Sequence, residues 1–483
     1  MEGNRSHVVV IGAGIAGLAA AWHLRQGGAD IRVTVLDGAA RIGGKLHASE
    51  VAGIPVDAGA EAMLVRRPEG KDLAKMVGLG DELRHPGDAQ AAILTRGALR
   101  PLPKGQVMGV PSDLAALASS GVLTPGGLAR VPMDQILPAT LITTDVSVAA
   151  YVRARMGGEV VDRLIEPILG GVYAGRAEAL SLDATMPRVA AAARTERSLL
   201  TAARKIAGET PKDAGPVFAT LRTGMGSLPE AVAAASGAEI RTGVTVREIR
   251  RTADGWRLIA GPVPDPEVIE ADAVILATPG PATGRLLADE VPKAAAELAR
   301  IEYASMAVVT LAYPRAAFPA PPPGSGYLVP PVEGRPVKAA TFSSIKWPHL
   351  AEADPGVIVL RCSIGRLGEE ALLQRDDAEL VALAMAETAE VVGVRGLPRD
   401  SRVTRWGGAL PQYNVGHLDR VARIRAAVAA QPGLALCGAA YDGVGIPACV
   451  ATARTAAARI LDYLDLAGRR GDSPAGRTGH SPG

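Results

Sequence analysis

The chain has 483 residues, 52 Lys and Arg against 50 Asp and Glu, seven histidines and three cysteines. That length holds two or three domains with ample core, and the near-balanced charge gives no electrostatic case for a nucleic-acid partner. The histidines lack metal-ligand spacing, Cys362, Cys437 and Cys449 form no C-x-x-C pair, and no run of about 18 apolar residues is free of charge, glycine and proline. These features argue against structural zinc, a disulfide framework and a transmembrane helix; they suit a reducing cytoplasm and leave peripheral membrane contact open.

Residues 8–11 are a β-branched run and read as a buried strand. Gly12, Gly14 and Gly17 follow as G-x-G-x-x-G, with Ala13, Ile15 and Ala16 between them. The glycines serve a tight turn, close backbone approach to a pyrophosphate, and close packing of helix on sheet. A helix over 15–26 then points its N-terminus at the phosphates. Residues 31–36 form the second strand, and Asp37 stands where a carboxylate takes the ribose hydroxyls of an adenosine. A secretory signal peptide would also explain the apolar start. Three interrupting glycines and the mixed charge before them speak against it. Arg41-Ile42-Gly43-Gly44-Lys45 comes next. Its glycines let backbone pass close to a flat ring or phosphate, and its cations complement a diphosphate.

Residues 54–61 read as a short strand and a glycine turn returning to the cofactor. Gly59, Ala60, Glu61 and Met63 are candidates to lie along it, and Arg66 and Arg67 follow at once. From about residue 80 the pattern turns helical, over 111–120, 147–157, 158–169 and 182–206, with Ser147 and Asp183 as caps. Within it, residues 166–175 carry a glycine break that either lines a cavity or makes a helix–helix turn. Residues 221–228 lead into a helix near Pro229. Residues 238–250, 256–260 and 273–278 read as strands; Val246 sits on the hairpin nearest an adenine and Thr278 at the last strand's end. Residues 307–313, 326–329, 337–343 and 357–363 alternate as a second sheet, the proline-rich 318–336 is loop or edge, and 377–392 is a helix. Residues 434–437 are a strand leading to Gly438. Gly445-Ile446-Pro447-Ala448 then opens a helix whose N-terminus suits an electron-rich ring oxygen. The composition after Leu466 is that of a disordered tail.

RIGGK after the ribose acid looks like the R-x-G-G-[KR] extension of the amine-oxidase-like flavoproteins. More specific are LGGVYAG (169–175), SLDATMP (181–187), LRTGMGSLP (221–229), KWPH (346–349), RWGGALPQYNVGH (405–417) and GVGIPACV (443–450). Over 8–464 the chain resembles the flavin-dependent protoporphyrinogen/coproporphyrinogen oxidases, most closely the Gram-positive bacterial type. That resemblance implies an α/β, para-hydroxybenzoate-hydroxylase-like (Rossmann-like) FAD domain, with an inserted α+β substrate domain and a helical, membrane-facing lobe. The expected bounds are 1–80, 221–300 and 411–466 for the FAD domain and 81–220 for the lobe with part of the substrate domain. The substrate sheet is expected over 301–410 and the tail over 467–483. The resemblance implies FAD bound non-covalently along the residues named above, with Trp406 of the RWGG segment added. It also implies porphyrinogen as substrate, O2 as acceptor and H2O2 as product. Two departures stand out: Ala60 where the family commonly has Pro, and Asp37 where it has Glu.

Such a site needs no dedicated general base, because the macrocycle delocalises the charge left by hydride loss, and no catalytic side chain is named. It does need an apolar slot with cations for propionates. Arg66 and Arg67 are the leading candidates, with Tyr173 and Lys346 behind them. Aromatic residues make up only 3% of the chain, so aliphatic side chains must grip most of a flat substrate. The Gram-positive-type resemblance favours coproporphyrinogen III over protoporphyrinogen IX. Another oxidase of the superfamily, acting on amines or polyenes, and a non-enzymatic FAD-binding partner in haem synthesis are the competing readings. Transient contact with a ferrochelatase and a cytoplasmic, peripherally membrane-associated location belong to the same expectation.

Overall fold

Val8 and Val10 pack into one core, Val9 and Ile11 into another. That alternation places their strand, Ser6–Ile11, at the centre of a sheet buried on both faces. The computed structural model describes residues 5–28, 30–209 and 215–471. The central sheet is parallel throughout, in the order Glu239–Thr242, Ile31–Asp37, Ser6–Ile11, Ala273–Leu276, Leu434–Leu436. Helices Ile15–Gln26, Ser227–Ser236 and Ile446–Gly471 contribute to the core on one face. The antiparallel strands Val246–Arg251, Trp256–Ala260 and Glu267–Ala271 and the helix His417–Ala429 contribute to the core on the other.

A second sheet has seven strands, in the order Asp400–Pro411, Tyr303–Pro314, Val357–Ile364, Val337–Phe342, Gly326–Leu328, Ala91–Thr95, Ala98–Pro101. Ala307, Val309, Leu311 and Tyr313 pack with Leu380 and Ala384 of the helix Asp377–Val392. A capping box starts that helix: Asp376 accepts from Glu379 N at 2.8 Å, and Glu379 accepts from Asp376 N at 3.2 Å. Asp376→Ala should lower unfolding stability by ~1 kcal/mol, read by urea denaturation. An unchanged midpoint would show that the cap contributes nothing.

The helical lobe has its own core, from Leu117 through Tyr151, Leu164 and Leu182 to Leu200. At its centre Arg155 pairs with Asp134 at 2.5 Å, and Asp134 also accepts from Ser198 Oγ and Leu200 N.

Several predicted elements differ in extent. The strand expected over 238–250 is two strands in different sheets, because Gly243 turns the chain at φ +71°. The helix expected over 182–206 is three, Leu182–Thr185, Pro187–Thr195 and Leu199–Gly208, with Pro187 and the Ser198 cap starting new segments. Asp183 is not the cap: Ser181 accepts from Ala184 N, and Asp183 pairs with Arg194. Gly170 and Gly171 do not break their helix. It runs through a π segment, Val161–Ile165, to Tyr173 and ends where Ala174 turns left-handed at φ +51°. The helix expected near Pro229 begins at Ser227, and that expected from 111 begins at Leu114 behind the Asp113 cap. The terminal helix continues to Gly471, past the expected start of the tail; the rest of the tail, 472–483, lies outside the described residues.

Candidate functional site

The turn after the first strand is built by contacts that only glycine permits. Gly12 has φ +109°, and a Cβ there would lie 2.9 Å from Ala277 O. A Cβ on Gly17 would lie 1.8 Å from Gly12 O, so the helix sits directly on the turn. At Gly14 a Cβ would meet nothing within 4 Å, leaving space in front of the helix start. No side chain caps that helix and no acidic residue stands in its first turn, so the backbone donors at Ile15, Ala16 and Gly17 have no side-chain acceptor.

The RIGGK loop lies against this turn. Gly43 N donates to Ala13 O at 2.8 Å, and a Cβ on Gly44 would lie 3.4 Å from Gly14 Cα. Arg41 donates to the carbonyls of Ile42 and Gly44 and stands 6.0 Å from the centre of the Trp406 ring. The Lys45 ammonium is desolvated, which lowers its pKa, and the titratable neighbour acting on it is the Cys449 thiol. Gly59 continues the wall: a Cβ there would lie 2.0 Å from Lys45 O, and Ala60 N donates to that oxygen. Trp406 Nε1 donates to Ala58 O at 2.9 Å, bringing the second sheet to the same turn.

At the other end, Asp37 accepts from Ala13 N and Ala39 N, both at 2.7 Å. Beside it Gly243 N and Val244 N donate to Ala39 O and Asp37 O, and Val246 opens the next strand. Thr278 follows the Ala273–Leu276 strand next to Gly12, its hydroxyl 2.8 Å from that of Thr283. A Cβ on Gly438 would lie 4.0 Å from the Ala16 Cβ. Gly445 is exposed, and Ile446, Pro447 and Ala448 form the buried first turn of the terminal helix. The donor-rich, anion-free helix start, the space at Gly14 and the desolvated Lys45 fit an adenine-dinucleotide flavin.

Other candidates are placed differently. Met63 is core: it is 1% exposed and pairs with Ala219 across short strands. Glu61 does not face an open cofactor groove with its carboxylate. It pairs with Lys346 at 2.5 Å and with Arg361, whose Nη2 donates to Gly59 O at 2.7 Å. Burial alone would raise the Glu61 pKa, but the two cations hold it down at about 2. Lys346 is therefore engaged by Glu61 rather than free, in a triad that keeps one net positive charge. Arg66 is exposed; Arg67 pairs with Glu69 at 3.2 Å and lies 3.8 Å from a Cβ built on Gly443. Tyr173 is buried against Tyr413, ring centres 5.6 Å apart, and burial pushes its hydroxyl pKa up to about 12.

Sequence reasoning missed Arg361, Asp57 and Tyr413. Asp57 accepts from Met225 N and Gly226 N, which ties the first RIGGK-proximal hairpin to the LRTGMGSLP turn. Tyr413 donates to Ala439 O and accepts from Gly443 N, bracing the loop before the terminal helix. A charged residue inside the apolar run VIVLRCSI was the available signal for Arg361.

Three comparisons bear on this geometry. The model of the family described as flavin containing amine oxidoreductase matches residues 15–461. A protein named coproporphyrinogen III oxidase from Bacillus subtilis (strain 168) is 32% identical over 476 residues, 96% of this chain and 100% of that one. One of the same name from Mycobacterium bovis is 38% identical, covering 94% and 97%. A crystal structure from Exiguobacterium sp. 255-15, provisionally named a protoporphyrinogen oxidase, superposes with TM-score 0.84 at 33% identity, covering 95% and 99%. Cyclohexylamine oxidase from Brevibacterium oxydans, at 18% identity and TM-score 0.67, shares the fold. With its glycine turn, its RIGGK loop and this match along nearly its whole length, the chain belongs to the flavin-containing amine oxidoreductase family.

Proposed function

We propose that the chain binds FAD non-covalently and oxidises coproporphyrinogen III to coproporphyrin III, with O2 as acceptor and H2O2 released. The observation that carries the proposal is the two-ended cradle, with an uncapped helix start at one end and Asp37 beside residues 243–246 at the other. A pyrophosphate and an adenosine fit those two ends, which favours FAD over a mononucleotide. The substrate rests on the likeness to the Bacillus and Mycobacterium proteins. When bound, the flavin supplies a two-electron acceptor that O2 regenerates. The overall change removes six electrons, so three two-electron turns are needed: in each the substrate would give up a hydride from a meso carbon and release one proton, the macrocycle spreading the charge, and three O2 would become three H2O2.

The chain's own share is positioning. The terminal helix start and Lys45 would favour negative charge on the ring, and Arg67, paired with Glu69 at 3.2 Å but with a side chain still 42% exposed beside Gly443, would be the cation to take a propionate. Among the described residues no helix is long and apolar enough to cross a membrane. Exposed Ile136 and Leu141 on the lobe favour peripheral contact with a membrane or a protein partner; a cytoplasmic location and a ferrochelatase as that partner rest on the resemblance alone.

The test is the purified protein in air with coproporphyrinogen III or protoporphyrinogen IX, followed by porphyrin fluorescence and H2O2. Faster oxidation of coproporphyrinogen, with H2O2 formed in proportion, is the expected result. Preference for protoporphyrinogen would keep the chemistry and change the substrate. A yellow protein that accelerates neither would sink the proposal and direct the search to amines, polyenes or a non-enzymatic role.

A further inference from the structure

The second sheet turns one face to the helix Asp377–Val392 and the other toward the Gly59–Trp406 wall. On that other face Leu328, Ala339, Ser363 and Met306 are only half-buried, in contrast to Ala307, Ala340 and Ile364 on the helix side. Met306 pairs directly with Trp406 across the strands, and Ala339 pairs with both Leu328 and Ser363. The helix Glu166–Tyr173 roofs part of this face, with Leu328 Cδ2 3.5 Å from a Cβ built on Gly171.

Lys338 sits in this floor, at the irregularity between Val337 and Ala339. It is 4% exposed. Among the described residues its ammonium's one hydrogen-bond partner is the Met306 thioether, at 4.0 Å. A buried ammonium facing only a sulfur is costly to fold. Its charged neighbours relieve it only in part. Arg366, also 4% exposed, opposes it, and Glu369 is already shared by Arg176 at 3.0 Å and Arg366 at 3.3 Å. Glu166, the other carboxylate of this neighbourhood, is shifted toward its neutral form by burial and accepts from Ala177 N. Lys338, Arg366 and Arg176 thus stand around Glu369, which both arginines already engage, and Glu166, which a backbone donor holds, next to the half-buried face that reaches Trp406.

We propose that Lys338, backed by Arg366, receives a propionate of coproporphyrinogen that protoporphyrinogen replaces with vinyl, and so determines substrate preference. The inference rests on the porphyrinogen reading above. It explains why an ammonium is kept where an apolar residue would pack: an arriving carboxylate supplies the partner that the chain lacks. Without that partner, burial and then Arg366 pull the ammonium down to about 7, so the site is poised to gain charge on binding.

The test compares wild type, K338M and K338R in three measurements. These are KM and kcat on each porphyrinogen, binding of coproporphyrin III and protoporphyrin IX by fluorescence, and thermal unfolding. K338M should raise KM for coproporphyrinogen roughly 10- to 100-fold with kcat nearly unchanged, because a charge-assisted contact present in both ground and transition states is lost. Protoporphyrinogen kinetics should hold, K338R should recover most of the loss, and the Tm of K338M should equal or exceed wild type. K338Q replaces K338M, read by the same ratio, should the methionine variant not fold. If the neutral variant leaves both substrates unchanged, or shifts both alike, Lys338 is a structural cation and the inference falls alone. If wild type oxidises neither porphyrinogen, the underlying reading falls, and the inference with it.

Discussion

Gly17→Ala should yield a protein that loses its flavin on purification. The added Cβ would stand 1.8 Å from Gly12 O and 3.1 Å from the Ala277 Cβ, and the first of these is backbone that cannot swing aside. The helix must lift from the turn, and overpacking of this kind costs ~1–3 kcal/mol or more. Lifting also carries the free N–H groups of the first turn away from where a pyrophosphate would sit. The ratio of flavin to protein absorbance should fall to roughly a tenth of wild type or below, with a lower Tm, since small displacements of aligned donors are costly. Gly14→Ala is the informative control. Its backbone, at φ −72°, accepts alanine, and the new Cβ meets nothing within 4 Å. It should fold as wild type yet bind flavin more weakly, because the methyl would occupy the space proposed for phosphate. Full flavin content in Gly17→Ala would refute the close approach. Normal flavin affinity in Gly14→Ala would move the phosphate site elsewhere.

Glu61→Gln should be the most damaging single change at the joint between the flavin-binding sheet and the seven-stranded sheet. Glu61 is the shared anion of Lys346 and Arg361, with side-chain exposures of 15%, 22% and 10%. Removing its charge strands two cations, a loss of about 3–5 kcal/mol when one partner of a buried pair is deleted. It also loosens the Arg361 bond to Gly59 O, so flavin affinity should fall with stability. The pH dependence follows from the sign of the shift. The folded-state pKa is held at about 2 against an ordinary 4.5, so the stabilisation is whole above pH 4.5 and is lost as pH falls toward 2. Asp57 works the other way. Burial pushes it up to about 6, so its ionisation costs stability above that pH, and the cost is relieved as pH falls through 6 toward 3.8. The raw acid profile mixes the two. The difference between wild type and Glu61→Gln isolates Glu61: it should be constant from pH 7 to about 5 and shrink below 4.5. A difference that is small at pH 7, or that does not change down to pH 3, would show that the triad does not hold the joint.

The amino-acid order by itself determined the dinucleotide half. Strand, three glycines, uncapped helix, second strand and Asp37 are contiguous, and the contacts of Gly17 with Gly12 O and of Asp37 with Ala13 N are local, so a linear reading reaches them even though Ala277 closes the turn from far along the chain. The RIGGK loop and the start of the terminal helix were legible for the same reason: glycine spacing and a first-turn proline are backbone signals. What only the tertiary structure decided is the partner of each charge. Lys346 reads as a free cation until Glu61, 285 positions away, is seen to pair with it. Glu61 reads as a cofactor contact until Lys346 and Arg361 claim it. The edge strands Ala98–Pro101 and Asp400–Pro411 carry too little alternation to be read alone, being half exposed and stabilised by their neighbours in the sheet. Lys338 is the clearest case. In the chain it is one lysine in VKAATF, and burial, the bulge and the commitment of Glu369 to other cations make it a candidate site. Backbone conformation is dictated by near neighbours, whereas the energy of a buried charge depends on what the fold brings within a few ångströms of it.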